Sequence, residues 1–168
     1  MRRFFAPVFV FFLFSTGCVA AGPLAAPDGD VVLTVTGDIE ITNTRDAAAF
    51  DMAMLEAMPV KQFETTTIWT EGKNSFVGVP LRHVLEFLGV EAGTLRATAI
   101  NDYSVEMPVD SLKSDAPIIA YQRDGNPMSR RQKGPLWIVF PYDSDAEYRS
   151  ELVYSRSIWQ LDRLEVTR

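Results

Sequence analysis

The densest group of side chains able to do chemistry lies between Tyr121 and Asp143, in YQRDGNPMSRRQKGPLWIVFPYD. Asp124-Gly125-Asn126-Pro127 has the composition of a tight turn, because Gly admits a positive φ and Pro fixes the exit direction. Ser129, Arg130, Arg131, Gln132 and Lys133 then place cations and hydrogen-bonding side chains next to one another, ahead of Gly134-Pro135. Guanidinium forks and backbone N–H groups suit an anion or a polar heterocycle. The same composition suits a solvated hairpin tip, and residue types alone leave both readings open. Leu136 to Phe140 is an unbroken apolar run with the β-branched and aromatic content of a strand buried on both faces, so it anchors the loop to a core.

Metal chemistry is poorly served. The single His, His83, lies off the apolar stripe Leu81, Val84, Leu85 and Leu88, and the single Cys is Cys18. A transition-metal centre draws on several such ligands with supporting partners, so no metal is expected. Phe50, Met54 and Met58 recur at helical spacing, and Met in that pattern fills irregular cores.

The elements that position these residues read as follows. Val31 to Thr36 and Ile39 to Thr42 alternate around Gly37-Asp38, as a short hairpin does. Asp46 to Met58 has the pattern of an amphipathic helix that stops before Pro59. Phe63 to Trp69 is a strand ending at Trp69, followed by a loop TEGKNSF. Pro80 opens a second helix that Gly89 closes. Leu95 to Ile100 and Tyr103 to Met107 form a hairpin about Asn101-Asp102, and Val109 to Lys113 makes one helical turn. Pro117 to Arg123 is a strand, Asp143 to Glu151 an acidic loop, and Ser157 to Val166 the last strand. The expected fold is therefore a single α+β domain with a mixed, mostly antiparallel sheet and two main helices.

The chain begins with Arg2 and Arg3, continues as the apolar run Phe4 to Phe14 and reaches small residues at Gly17 to Ala21. That order is the order of a secretory signal peptide, and the apolar run is shorter than the roughly 20 residues a membrane span needs. Residues 1–21 are read as the signal, 22–30 as a flexible leader and 31–168 as the domain. A periplasmic location is expected, with lipid attachment at Cys18 as the rival processing route. The formal charge is −6, and loss of Arg2 and Arg3 with the signal takes it to −8. Such an acidic chain makes nucleic acid an unsuitable partner.

The order of Thr67-Ile68-Trp69, Phe76-Val77-Gly78-Val79-Pro80-Leu81, Asn101-Asp102-Tyr103-Ser104-Val105, Gly125-Asn126-Pro127, Gly134-Pro135-Leu136 and Trp159 resembles the sulfite-oxidase-type molybdopterin-binding domain. The likeness covers roughly residues 30 to 168, with the family typically having W-x-G-V-P-L at the second motif and D-G-Y-S at the third. In that family a Cys thiolate meets molybdenum shortly after the first Thr-containing strand. Here that place holds Thr65-Thr66-Thr67-Ile68-Trp69, and no Cys follows residue 18. A soft thiolate is the ligand that suits the metal. The sequence is thus most similar to a branch of exported pterin-binding proteins with this fold. The resemblance implies a reduced pterin or a molybdopterin-like ligand, no catalysis, and a sensor working with the periplasmic domain of a membrane-bound diguanylate cyclase or phosphodiesterase. The alternative is a molybdenum-cofactor-dependent oxidoreductase subunit. For a flat heterocycle the candidate residues are Trp69, Tyr103 and Trp137 as aromatic partners, Asn101 or Asp102 toward an amino edge, and Arg130 and Arg131 toward a carbonyl or phosphate. Trp137 also reads as core and Asp102 as a turn residue.

Overall fold

The computed structural model describes residues 24–168; the segment expected to be a signal peptide, 1–21, and Cys18 lie outside the described residues. Strand β1, Val31–Gly37, points Leu33 and Val35 inward. Its antiparallel partner is not Ile39 to Thr42 but β2, Ala47–Asp51. Ile39 and Ile41 instead pack, half-buried, on the outside of the core. The helix expected over Asp46 to Met58 is therefore a strand followed by the short helix α1, Met52–Glu56. Pairing with β1 wins because Ala48, Ala49, Phe50 and Asp51 are all buried, which an amphipathic surface helix would not allow. Asp51 makes the junction: its carboxylate accepts from Met54 N at 2.9 Å as the helix cap. The same carboxylate accepts from Asp28 N and Gly29 N at 2.9 and 2.8 Å, so the end of the segment expected to be a loose leader is fastened to the domain.

Strand β3, Lys61–Thr67, turns through Ile68-Trp69 directly into β4, Thr70–Pro80. The expected loop TEGKNSF is the start of β4. Glu71, Gly72 and Lys73 are exposed there, so their polarity reports solvent and not irregular backbone. Helix α2, Leu81–Phe87, buries Leu81, Val84 and Leu85, and Gly89 follows with φ +81°. The hairpin of β5, Thr94–Ala99, and β6, Ser104–Pro108, agrees with the sequence reading, as does the 3-10 turn Val109–Ser111. Next come β7, Ile118–Arg123, the two-residue β8, Asn126–Pro127, and β9, Trp137–Val139. The acidic stretch after it contains a helix that hydrophobic periodicity does not reveal, α3, Glu151–Arg156. It has no buried residue, and its signals are the Ser150 cap, which accepts from Val153 N, with Glu151 in the first turn and Arg156 in the last. The final strand, β10, is Leu161–Thr167, so Trp159 stands before it.

Two sheets result. One has the order β2-β1-β10-β5-β6, with β1 and β10 parallel and the other pairs antiparallel. The other runs β3-β4-β7-β8, with β9 also on β7, and is antiparallel throughout. Leu33, Leu95 and Leu164 from the first sheet share one apolar core with Phe76, Ile118 and Trp137 from the second. The domain is α+β and mostly antiparallel, as the sequence indicates, with three α-helices in place of the two expected among the described residues.

The contact between β4 and β7 is tightest at Gly78, where the pairing register shifts. A Cβ there would overlap Ile119 O and stand 2.7 Å from Ala120 Cα, both backbone atoms that cannot rotate away. Gly78→Ala is expected to cost at least about 2 kcal/mol of stability. A urea titration checks this: the midpoint should fall at unchanged slope.

Candidate functional site

The hairpin turn between β3 and β4 carries Trp69 into a ring of aromatic side chains. Trp69 meets Trp137, Tyr142, Tyr154 and Trp159 edge-on, with centroids 5.8, 6.1, 5.8 and 5.6 Å away. Each separation and tilt suits the edge-to-face attraction of ring quadrupoles. The turn is closed by Thr67, whose Oγ1 accepts from Trp69 N and Thr70 N, both at 3.0 Å, and shares a 2.8 Å bond with Thr70 Oγ1. A second brace comes from Asp143, beyond β9. Its carboxylate accepts from Thr66 N and Thr66 Oγ1 at 2.7 Å each, while its own N–H donates to Thr65 Oγ1 at 3.1 Å. The bonds from the Thr66 hydroxyl and N–H hold the Asp143 carboxyl below the usual carboxylate range.

The opposite wall is segment 157–160, laid along β9. Ile138 N donates to Ile158 O, Leu161 N to Leu136 O, and the indole Nε1 of buried Trp137 to Ser157 O at 3.2 Å. Tyr142 OH donates to Ser157 Oγ at 2.7 Å, and Ser157 Oγ donates in turn to Val153 O at 2.8 Å. Burial pushes the Tyr142 phenol up, so it stays neutral and remains a donor. Between the walls lies a cavity of about 410 Å³, bordered by Trp69, Tyr154 and Trp159, by Ser155, Ser157 and Ile158, and by Ala99, Asn101 and Tyr103 of the β5–β6 turn. Small-molecule sites are typically about 300 to 1,000 Å³, with apolar walls and a few polar groups.

Of the residues singled out from sequence, the structure brings Trp69, Asn101 and Tyr103 together at this cavity. Asn101 Oδ1 accepts from Tyr103 N at 3.3 Å, which leaves its Nδ2 available as a donor. Asp102 is held differently. It occupies the turn with φ +66° and is ion-paired to Arg163 at 2.7 Å, outside the lining. Trp137 is fully buried beneath Trp69 and Phe76, so neither of its faces can receive a ligand. Arg130 and Arg131 do not line the cavity either. They occupy a 3-10 turn, Arg130–Gln132, capped through Ser129 and Gln132, that leaves both exposed.

The cation that does approach is Lys133. Its left-handed backbone, φ 76°, sets Nζ 4.0 Å from the Trp159 ring centroid and 5.6 Å from that of Trp137. Burial, with Arg123 nearby, pulls its pKa down. In the sequence Lys133 is one of three cations in the basic loop, and nothing in that run sets it apart. The wall is not evident in sequence: Tyr154 and Ser155 belong to α3, which buries no residue, and Ser157 and Trp159 fall in the stretch expected as the last strand, which begins only at Leu161.

The chain matches the model of the oxidoreductase molybdopterin binding domain over residues 38–144 and belongs to that family. Comparison with curated proteins gives no match. Asn101, Tyr103 and the Trp69 hairpin fall within the matched span, whereas the wall from Tyr154 to Trp159 lies beyond its end. Aromatic walls and polar edges fit the pterin portion of the family's cofactor. A thiolate-held metal does not fit the residues present: the end of β3 and its turn hold Thr65 to Trp69 with no Cys, and the Thr67 hydroxyl is engaged in closing the turn.

Two measurements follow from the bracing. Ser157→Ala strands the buried Tyr142 hydroxyl and should cost about 1 to 3 kcal/mol, whereas Tyr142→Phe leaves Ser157 still donating to Val153 and should cost about 0.5 to 1.5; chemical denaturation of the two variants gives the order. For Asp143 the folded pKa is depressed, so its contribution to stability is present above the unfolded value near 3.9 and is lost as pH falls through the folded value. Asp143→Asn should therefore be less stable than wild type at neutral pH, with the difference closing below about pH 4 in melts followed by tryptophan fluorescence.

Proposed function

We propose that this chain is an exported, non-catalytic pterin-binding protein, a sensor that relays the bound state to the periplasmic domain of a membrane-bound diguanylate cyclase or phosphodiesterase. The observation that carries the ligand half is the cavity walled by Trp69, Tyr103 and Trp159 beside a hairpin turn whose threonine hydroxyls are engaged and which holds no thiol. A pterin is flat and polar, with donors along its 2-amino and N3 edge and an acceptor at O4. Tyr103, 54% exposed, and Trp159, 37% exposed, supply faces or edges for the ring. Asn101 Nδ2 supplies a donor for O4. Ser155 Oγ, which donates to Leu152 O at 2.8 Å, keeps lone pairs for an amino edge.

Export is supported by the signal-like order of Arg2, Arg3 and Phe4 to Phe14. The partner is supported by family resemblance. A molybdenum-cofactor oxidoreductase subunit is the second reading, favoured by the family the chain belongs to. It would require the soft ligand to come from another molecule, because the only Cys of the chain is Cys18.

Titration of 6-hydroxymethyl-7,8-dihydropterin by calorimetry tests the ligand half. Tyr103→Ala removes a stacking partner on an exposed turn and should weaken binding by about 1 to 2 kcal/mol, roughly five- to thirtyfold, with the urea midpoint unchanged. Arg131→Ala should bind like wild type. Equal affinity in wild type and Tyr103→Ala removes the cavity from the reading.

A further inference from the structure

Large apolar side chains that remain in water are few among the described residues: Val31, Val60, Ile68, Ile100, Tyr103, Leu152 and Trp159. Their distribution is uneven. Tyr103 and Trp159 line the cavity, Ile68 precedes Trp69 in the hairpin turn, and Ile100 lies between the lining residues Ala99 and Asn101. Leu152 is one turn of α3 before Ser155 and accepts that residue's Oγ–H at its carbonyl. Ile68 and Leu152 are 62% and 58% exposed and adjoin lining residues along the chain, outside the lining itself. Isolated exposed hydrophobes are ordinary, but a group whose members line a concave site or adjoin its lining residues in the chain marks a surface that another molecule covers.

This group has a charged side. Trp159 is capped by Lys133, and the adjoining 3-10 turn bearing Arg130 and Arg131 is tied to it through Gln160, whose N donates to Lys133 O and whose Nε2 donates to Arg130 O, both at 2.9 Å. Neither arginine has a carboxylate partner among the described residues' ion pairs, in a chain of formal charge −6. An apolar centre with unpaired cations beside it complements a surface of the opposite arrangement.

We propose that the mouth of the cavity is itself a protein-docking face, for a partner that presents an apolar patch flanked by carboxylates and so covers whatever the cavity holds. The assignment of the face stands on that group and the basic turn; only the identity of the covered ligand rests on the pterin reading. A partner seated on Ile68, Tyr103 and Leu152 closes the site, which makes its binding and the ligand's mutually dependent.

A photo-crosslinking amino acid at position 68, 152 or, as the control away from the mouth, 60, in the full chain expressed in its native cells, tests the face. Crosslinked peptides are sequenced with and without added 6-hydroxymethyl-7,8-dihydropterin. Positions 68 and 152 should trap one partner protein through peptides next to Asp or Glu clusters, in a yield that changes with the pterin. Arg130→Glu with Arg131→Glu should lower that yield about tenfold or more, the scale of a charge reversal opposite carboxylates. Equal trapping at position 60, trapping of a second copy of this chain or of lipid alone, or indifference to the charge reversal would overturn the docking face. If the partner is trapped but the yield ignores the pterin and calorimetry shows no pterin binding, the ligand reading and the mutual dependence fall while the face stands.

Discussion

Everything at the candidate site depends on how Trp69 is held. A tryptophan in a two-residue hairpin turn would ordinarily swing in solvent. Here its edges are met by four rings that come from β9, from the segment just after it, from α3 and from the approach to β10. No single one of these contacts is strong, since an aromatic pair contributes about 0.5 to 1.5 kcal/mol beyond area burial. Together they join the far end of the second sheet to the C-terminal segment. A cavity wall built on rigid, mutually packed elements holds its shape without the ligand, which lowers the ordering cost of binding.

The bracing around that ring is polar and sits where it is needed. Asp143 fixes the last residues of β3, Thr67 closes the turn, and Ser157 satisfies both the Trp137 indole and the Tyr142 hydroxyl with its two oxygens. Buried donors left unpaired would cost more than these bonds contribute, so the network specifies one arrangement of rings. It also explains why Trp137, attractive in sequence as a stacking residue, serves from below: it is fully buried against Phe76 and Trp69, and its N–H is taken by the backbone.

Much of the fold was legible because apolar periodicity and turn chemistry agree along most of the chain. The β5–β6 hairpin, α2 with its closing Gly89, and the doubly buried run at β9 all follow from local pattern. Elsewhere tertiary pairing overrode local preference at one element, and solvent exposure removed the pattern at two others. Ala47 to Asp51 has helix-favouring residues yet joins β1, because two buried faces favour a strand. The polar start of β4 reads as loop because both its faces meet water, and α3 escapes notice because it has no apolar stripe to bury. At the site, the aromatic and amide residues on turns were recoverable from motif order, whereas the choice among Arg130, Arg131 and Lys133 was not. That choice is made by one left-handed residue, and φ at Lys133 cannot be read from a run of cations.

The central claim is that the family's cofactor pocket survives here as a pterin site without its metal ligand. It is tested most directly on protein purified from its native envelope, by denaturing the sample, oxidising the extract, and measuring pterin fluorescence and molybdenum on the same material. The expected result is a pterin in near-stoichiometric amount with no accompanying molybdenum. Stoichiometric molybdenum would contradict the claim by restoring the oxidoreductase reading, and an extract free of pterin from such a sample would contradict it by leaving the cavity with another occupant or none.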